Sequence, residues 1–231
     1  MTLGESLVKS LKRVGLSSTS SIFVDQARIY WNEGAISLSG ERQWKWLFKV
    51  ATLTTVATQR SYSLAADVYT PLSFIHTTDD RLMSMIDVQD ADARDPNMDD
   101  TGDTTAAYIT GINTTTGYWE VDLVDTPDTS SETITYRYYG FIVEKTSSAD
   151  STDLAGVMPR LAQEAVVDYV AARYKGEKGD ARGEQEEMDA YDLKVKNLKR
   201  MDGDTDGNES TRLPRRDSNG TVTLRVNGTL G

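Results

Sequence analysis

The spacing of apolar residues changes twice along this chain, and that change constrains the fold more than any other feature. Near the amino terminus Leu3, Leu7, Leu11 and Val14 recur every three or four residues, which predicts one apolar stripe on a helix. In the middle, the segment from Glu132 to Phe141 alternates apolar and polar residues, as a half-buried strand does. Helical spacing returns near the carboxyl terminus. Helices on both sides of a run of strands predict an α+β fold.

Two helices are predicted before the first strand. Thr2 and Glu5 have the spacing of a capping box, in which each side chain bonds to the backbone of the other residue. The serine run at residues 17–21 ends this helix and offers an N-cap for a second one, which is expected to extend to about Leu38. The buried side of the second helix is predicted to carry Phe23, Ala27, Tyr30, Trp31 and Gly34. The apolar cluster that follows is interpreted as core packing and comprises Trp44, Trp46, Leu47 and Phe48.

Seven strands are predicted in the middle of the chain: Lys49–Val56, Arg60–Leu64, Leu72–His76, Leu82–Ile86, Ala106–Ile109, Tyr118–Leu123 and Glu132–Phe141. The first two are expected to form a hairpin across Ala57-Thr58-Gln59, and Asp125–Asp128 supplies turn residues between the last two. Since the strands are consecutive and joined by short turns, an antiparallel sheet is predicted. The acidic segment from Asp87 to Gly102 is interpreted mainly as a surface loop, the alternative being one short helix ended by Pro96.

Two further helices are predicted after a polar linker at residues 144–152. Pro159 suits a first helical turn. The helix that follows has an apolar arc wide enough to predict burial on two sides, against a partner helix and against the sheet. The last helix starts near Asp180 and has a narrower stripe, which comprises Met188, Tyr191, Val195, Leu198 and Met201.

These elements predict a helical bundle made from both chain ends, with an inserted antiparallel β-domain and an extended C-terminal tail. The expected division is residues 1–48 for the N-terminal helices, 49–146 for the β-domain, 147–202 for the C-terminal helical hairpin and 203–231 for the tail.

Composition excludes several classes of protein. The chain lacks cysteine, so disulfides and thiolate metal sites are impossible, and folding in a reducing cytoplasm is expected. The first residues lack the apolar run of a signal peptide, and no stretch approaches the length of a membrane span. The net charge of −11 argues against wrapping of nucleic acid, which needs a basic surface. Residues 211–231 carry +3, which leaves −14 on the rest of the chain.

The basic tail contains a second alternating segment. Val222, Leu224 and Val226 alternate with polar residues, and this short strand has no hairpin partner nearby. Such a tethered strand is typical of a segment that pairs with the sheet edge of another subunit, although a disordered terminus fits the same pattern. The residues predicted to dock on a neighbouring subunit or partner are Arg212, Leu213, Arg215, Arg216, Val222, Leu224, Arg225 and Val226.

No motif predicts catalysis or a cofactor. The single histidine, His76, lies in a predicted strand and is interpreted as structural. Nucleophile-elbow, zinc-protease and phosphate-loop motifs do not occur. The segment from Asp202 to Asn208 matches the first half of an EF-hand loop, but Leu213 stands where the bidentate glutamate is required. The segment is therefore interpreted as a flexible acidic linker, the less favoured alternative being adventitious calcium binding.

Several loose motifs occur in a characteristic order. The first half of the chain carries Trp31-Asn32-Glu33-Gly34, Gln43-Trp44-Lys45-Trp46-Leu47, a Thr-rich stretch at Ala51–Val56, and Gln59–Val68, which reads QRSYSLAADV. The second half carries Tyr118-Trp119-Glu120-Val121, Pro127-Asp128 before Ile134–Tyr139, a helix at Pro159–Tyr174, and Leu198–Arg200. In this order, over residues 3–201, the chain resembles the head-to-tail adaptor (head completion or connector) proteins of tailed bacteriophages, especially podophage-type tail adaptors. The acidic segment and the tail lie outside the resemblance.

The resemblance implies a structural virion protein with no enzymatic activity. It implies a homo-oligomeric, dodecameric ring that binds below the portal protein, extends the channel for double-stranded DNA without sequence-specific binding, and presents a surface for the downstream tail or nozzle protein. The expected location is the virion neck, after assembly in the host cytoplasm and without a membrane. Sequence distinguishes poorly between an adaptor and another neck ring, such as a tail terminator or tail tube connector. Threonine, aspartate and tryptophan in the strands suggest a carbohydrate-binding β module instead, but the flanking helices argue against it.

Overall fold

The computed structural model describes residues 1–147 and 153–203, and the α+β class predicted from the sequence is confirmed within them. The helices are α1 (Leu3–Arg13), α2 (Ser21–Gly40), α3 (Val88–Arg94), α4 (Arg160–Glu177) and α5 (Ala181–Met201). The strands are β1 (Phe48–Thr54), β2 (Ser61–Ser63), β3 (Val68–His76), β4 (Arg81–Met85), β5 (Thr101–Gly102), β6 (Ala106–Ile112), β7 (Trp119–Val124), β8 (Thr126–Pro127) and β9 (Thr133–Gly140). Short 3₁₀ turns occur at Lys45–Leu47 and Leu154–Gly156. None of the helices in these ranges combines the length and apolarity that crossing a membrane requires.

The start of α1 is fixed by the predicted capping box. The hydroxyl of Thr2 accepts the backbone N–H of Glu5 at 3.2 Å, and the Glu5 carboxylate accepts the backbone N–H of Thr2 at 2.8 Å. The predicted stripe is confirmed, with three leucines of α1 fully buried. The serine run separates α1 from α2 as expected, but the side chain of Ser20 at the N-cap position makes no capping hydrogen bond.

Helices α1, α2, α4 and α5 share one hydrophobic core. Helix α4 lies at its centre and packs against the other three, so the prediction that its second buried side faces the sheet is wrong. The width of an apolar arc shows that two sides are covered, but not what covers them. Close approach of α2 to α4 depends on Gly34, where a Cβ atom would lie 2.7 Å from the ring of Tyr169.

The main sheet has seven strands in the order β1-β9-β3-β4-β6-β7-β2. It is mixed, which corrects the predicted antiparallel sheet: β4 and β6 run parallel, and β5 pairs parallel with β8 in a separate two-stranded ribbon. The cause is the long acidic segment between β4 and β6. It acts as a crossover and returns the chain to the starting end of the sheet, so the next strand runs in the same direction.

The predicted hairpin between the first two strands is also wrong. Strand β1 pairs with β9 and β2 pairs with β7, which places them at opposite edges of the sheet. Thr58 does turn the chain, with a φ of 68°, but the turn leads away from β1. The last two long strands are likewise not neighbours, because the segment predicted as their turn contains β8.

The acidic segment contains the short helix given as the alternative, over seven of its sixteen residues, and most of the remainder is exposed loop, as expected. Asp87 caps α3 by accepting the backbone N–H of Asp90 at 2.8 Å, and the helix ends two residues before Pro96. One small residue, Ala91, is buried against β6 and β7. The inner face of the curled sheet forms another core, to which seven of its strands contribute.

Candidate assembly surfaces

The eight residues predicted to dock on a partner lie outside the described residues. They are Arg212, Leu213, Arg215, Arg216, Val222, Leu224, Arg225 and Val226. The structure does show where their segment begins. Helix α5 ends at Met201, and the Asp202 carboxylate accepts the backbone N–H of Lys45 at 3.1 Å and lies 3.7 Å from the Arg42 guanidinium. The first aspartate of the EF-hand-like segment is thus bound to the turn before β1, and residues 204–208 of that segment lie outside the described residues.

Strand β1 has an exposed edge and an exposed face. It pairs with β9 along its whole length without a bulge, and none of the described residues pairs with its other edge. On its outer face Phe48 and Val50 keep 44% and 56% of their surface exposed. The prediction that Phe48 belongs to the core is therefore wrong, whereas Trp44 and Leu47 are buried. Further along the same face Leu82 of β4 is also exposed, opposite Ile75 of β3.

Helix α2 presents a second apolar surface. Ile22, Ile29 and Ile36 follow one another at intervals of seven residues, and all three are exposed. Residues seven apart lie close to one line along a helix, so these three form a stripe on the side away from α4. Exposed apolar residues that lie on one line are typical of contact surfaces between proteins.

The Trp31-Asn32-Glu33-Gly34 motif connects α2 to its surroundings. Trp31 is fully buried in the helical core, and Gly34, which has no side chain, leaves room for the ring of Tyr169. The amide of Asn32 donates to the Lys145 carbonyl at 3.0 Å and accepts the Lys145 N–H at 2.9 Å. This reciprocal pair fastens the chain after β9 onto α2. Trp31, Asn32 and Gly34 thus each have a structural role, and the sequence carries no signal for the partner of the asparagine.

A charged cluster anchors the acidic segment to the sheet. The Arg60 guanidinium donates to Asp95 at 2.8 Å and lies 3.7 Å from Asp122, which also accepts the hydroxyls of Tyr108 at 3.1 Å and Ser61 at 2.5 Å. Burial alone would raise the pKa of Asp95, but the hydrogen bonds from Arg60 and from neighbouring backbone amides outweigh it and lower that pKa below 3.8. Sequence analysis missed this cluster because its members come from four separate segments.

Three carboxylates of the acidic segment lie close together but are not arranged to bind a metal ion. Asp95, Asp99 and Asp100 have oxygens within 4.8 Å of one another. However, one oxygen of Asp95 accepts the Arg60 guanidinium and the other accepts the backbone N–H of Asp99 at 3.1 Å. His76 is buried at the end of β3, with its two nitrogens each 3.3 Å from a carboxylate, those of Asp79 and Glu132. The hydrogen bond between Nε2 and Glu132 links the ring to the segment before β9.

A buried carboxylate joins three helices. Asp168 of α4 is fully buried and forms ion pairs with Arg13 of α1 and Lys194 of α5. Arg13 also lies 3.3 Å from Glu187, which accepts Lys175 at 2.9 Å. The cluster thus holds the N-terminal helix against the C-terminal hairpin.

Comparison with known protein families identifies the family of this chain. A family model described as SU10 adaptor protein matches residues 6–217. The chain belongs to the SU10 adaptor protein family. This is a family of phage head-tail adaptors, so the chain is a structural adaptor protein of a bacteriophage virion, and the resemblance seen in the sequence is confirmed. A comparison with curated proteins found no match.

The family match also changes the limits of the resemblance. It extends past Met201 and includes the basic residues Arg212, Arg215 and Arg216, and the acidic segment falls within its span. The alternating segment Thr221–Val226 lies beyond it. The adaptor thus has a tail whose basic part belongs to the family region and whose strand-like part does not.

Proposed function

We propose that this adaptor forms a ring in the virion neck, where it binds below the portal, extends the DNA channel and provides the attachment surface for the tail. The observation that carries the proposal is the family match over residues 6–217. The proposed ring is dodecameric and meets a downstream tail or nozzle protein on its far side. Double-stranded DNA passes through the lumen without sequence-specific contacts, and the ring assembles in the host cytoplasm.

The helices and the sheet have separate cores, which supports separate roles for the two parts of the chain. Residues 1–48 and 147–202 act as one helical bundle against the portal, and residues 49–146 form the β-domain that projects toward the tail. The helices share one set of buried residues and the sheet has another, so each half has its own packed scaffold. Exposed apolar residues occur on both halves, as Ile22, Ile29 and Ile36 on α2 and as Phe48 and Val50 on β1. Such surfaces suit contacts between ring subunits.

The charge distribution supports passage of DNA. The chain carries −11 overall, and the acidic segment presents exposed carboxylates, among them Asp90 and Asp92, on a helix fixed to the sheet. Like charges repel within about 8 Å at physiological salt. A channel lined by such groups keeps the phosphate backbone from adhering to its wall.

The tail at residues 203–231 is proposed to dock on the portal or on a neighbouring subunit. Its support is charge complementarity, because Arg212, Arg215 and Arg216 are attached to a strongly acidic body. Charge-assisted contacts between arginine and carboxylate are among the stronger hydrogen bonds in proteins.

Mass photometry of the purified adaptor, alone and mixed with the portal of its phage, tests the proposal. Rings are expected to form alone or on the portal. A chain truncated after Gly203 should keep its fold and lose portal binding, as should the triple variant Arg212→Glu, Arg215→Glu, Arg216→Glu. The matched control is Arg182→Glu, since this side chain is 92% exposed on α5 and, among the described residues, pairs with Glu186 one helical turn away. If the protein stays monomeric and does not bind the portal, the proposal of a ring is wrong. If the truncated chain still binds the portal, the proposal that the tail docks on the portal is wrong.

A further inference from the structure

The free edge of β1 is unusual for an edge strand. It is seven residues long, regular and without proline, and its only charged residue is Lys49. Natural sheets normally protect such edges with charges, prolines, bulges or a covering segment, because exposed backbone groups pair with other chains. Apart from Lys49, whose ammonium group pairs with Asp67, none of these devices is present on β1 within residues 1–147 and 153–203. The edge is therefore open to pairing with another strand.

The side chains of β1 indicate what kind of cover fits. Ala51 and Leu53 point toward the core of the sheet, and the alternate residues Phe48 and Val50 point outward and are about half exposed. An added strand with apolar side chains on its outward face would lie beside both residues and remove them from water.

The chain itself leaves the described structure at the foot of this strand. Asp202 binds the backbone of Lys45, three residues before β1 begins. Gly203 is in contact with the same residue, since a Cβ atom there would lie 2.9 Å from the Lys45 ammonium nitrogen. The tail therefore starts near the beginning of β1.

The tail contains one segment of matching pattern and length. Thr221–Val226 has six residues against the seven of β1, and its valines and leucine alternate with polar side chains. Residues 204–220 link it to the foot of the strand and span up to about 60 Å when extended, whereas β1 is about 23 Å long. The segment therefore reaches every position along β1 of its own chain, and a tether of this kind gives an effective concentration on the order of millimolar.

We propose that in the free adaptor subunit the segment Thr221–Val226 adds as an outer strand to the open edge of its own β1. Val222, Leu224 and Val226 then lie on the outer face, beside Phe48 and Val50. The tail is stored on its own sheet until a partner takes it, and the edge is covered before assembly. This goes beyond the proposed portal docking and does not depend on it.

Disulfide trapping tests the proposal directly, because the chain has no cysteine of its own. In the full-length protein, Val50→Cys is combined in turn with Val222→Cys, Leu224→Cys or Val226→Cys, and each variant is oxidised at high dilution. At least one of these pairs is expected to form a disulfide within one chain, read by non-reducing electrophoresis and peptide mass spectrometry. Two controls measure chance collisions: Val50→Cys with Thr223→Cys, on the opposite face of the segment, and Leu193→Cys on exposed α5 with Leu224→Cys.

Amide hydrogen exchange gives a second readout that needs no substitution. Backbone amides of β1 on the free edge should exchange at least tenfold more slowly in the full chain than in the chain truncated after Gly203. Disulfides that link two chains would overturn pairing within the subunit. Equal trapping in the test and control pairs, or equal exchange in both chains, would overturn the added strand itself. Neither outcome bears on whether the portal binds the tail.

Discussion

Replacement of the buried carboxylate at Asp168 is the most informative test of how the helices are held together. This side chain is fully buried in α4 and binds Arg13 from the start of the chain and Lys194 from α5. Asp168→Asn keeps the shape and removes the charge. The two cations then lose the negative charge that compensates them, and the contact between the N-terminal helix and the C-terminal hairpin weakens.

The size of the effect follows from how far the two cations are buried. Removing one partner of a fully buried ion pair costs about 3–5 kcal/mol of unfolding free energy. Here Arg13 and Lys194 keep 38% and 24% of their side-chain surface exposed. Each also has a second acceptor, the carboxylate of Glu187 at 3.3 Å and the carbonyl of Glu164 at 3.4 Å. We therefore expect a loss of about 2–3 kcal/mol, which lowers the melting temperature of a chain of this length by about 4–12 °C.

Thermal and urea unfolding of the full-length protein, at one fixed concentration, measure this loss. The control is Arg182→Gln, which breaks the exposed pair with Glu186 and should change stability by less than about 0.5 kcal/mol. Lys194→Met leaves the Asp168 charge buried with one partner and should also destabilise the protein. If Asp168→Asn is as stable as the control, the ion cluster does not hold the three helices together.

Three further predictions concern packing and pH. Gly34→Ala should destabilise the protein by about 1–3 kcal/mol, because the new methyl group meets the ring of Tyr169. The methyl group of Gly40→Ala has open space, so this variant should gain up to about 1 kcal/mol of unfolding free energy. Urea unfolding of both variants measures the two changes. Because the pKa of folded Asp95 is lowered, its contribution is present above pH 3.8 and lost as pH falls below that value. Acid unfolding of Asp95→Asn should therefore show a smaller loss over that range than wild type. Burial raises the pKa of Tyr174 to about 12, so stability should fall from pH 10 upward, and Tyr174→Phe should flatten that fall in an alkaline titration.

The local elements of the fold could be predicted from the sequence, whereas strand partners could not. The capping box at Thr2 and the stripe of α1 involve residues within one or two helical turns, so the spacing alone specifies them. Pairing of β1 with β9 joins residues 79 to 91 positions apart, and the short turn at Ala57–Gln59 favoured a local hairpin that does not form. The short helix in the acidic segment is only weakly indicated by the sequence, because its polar surface gives no apolar stripe. One buried alanine, Ala91, is all that attaches its apolar side to the sheet.

The candidate surfaces divide in the same way. The order of the motifs was enough to indicate the adaptor family, because several loose motifs in one order are together more specific than any of them alone. The family match over residues 6–217 confirms this. The sequence by itself also determined the acidic body, the basic tail and the alternation of Thr221–Val226. Only the tertiary structure decided that Phe48 faces outward, that β1 lies at an edge, and that the tail begins near the start of β1. The physical reason is that exposure and edge position depend on which distant strands pair, and that choice is made by the packing of the whole sheet.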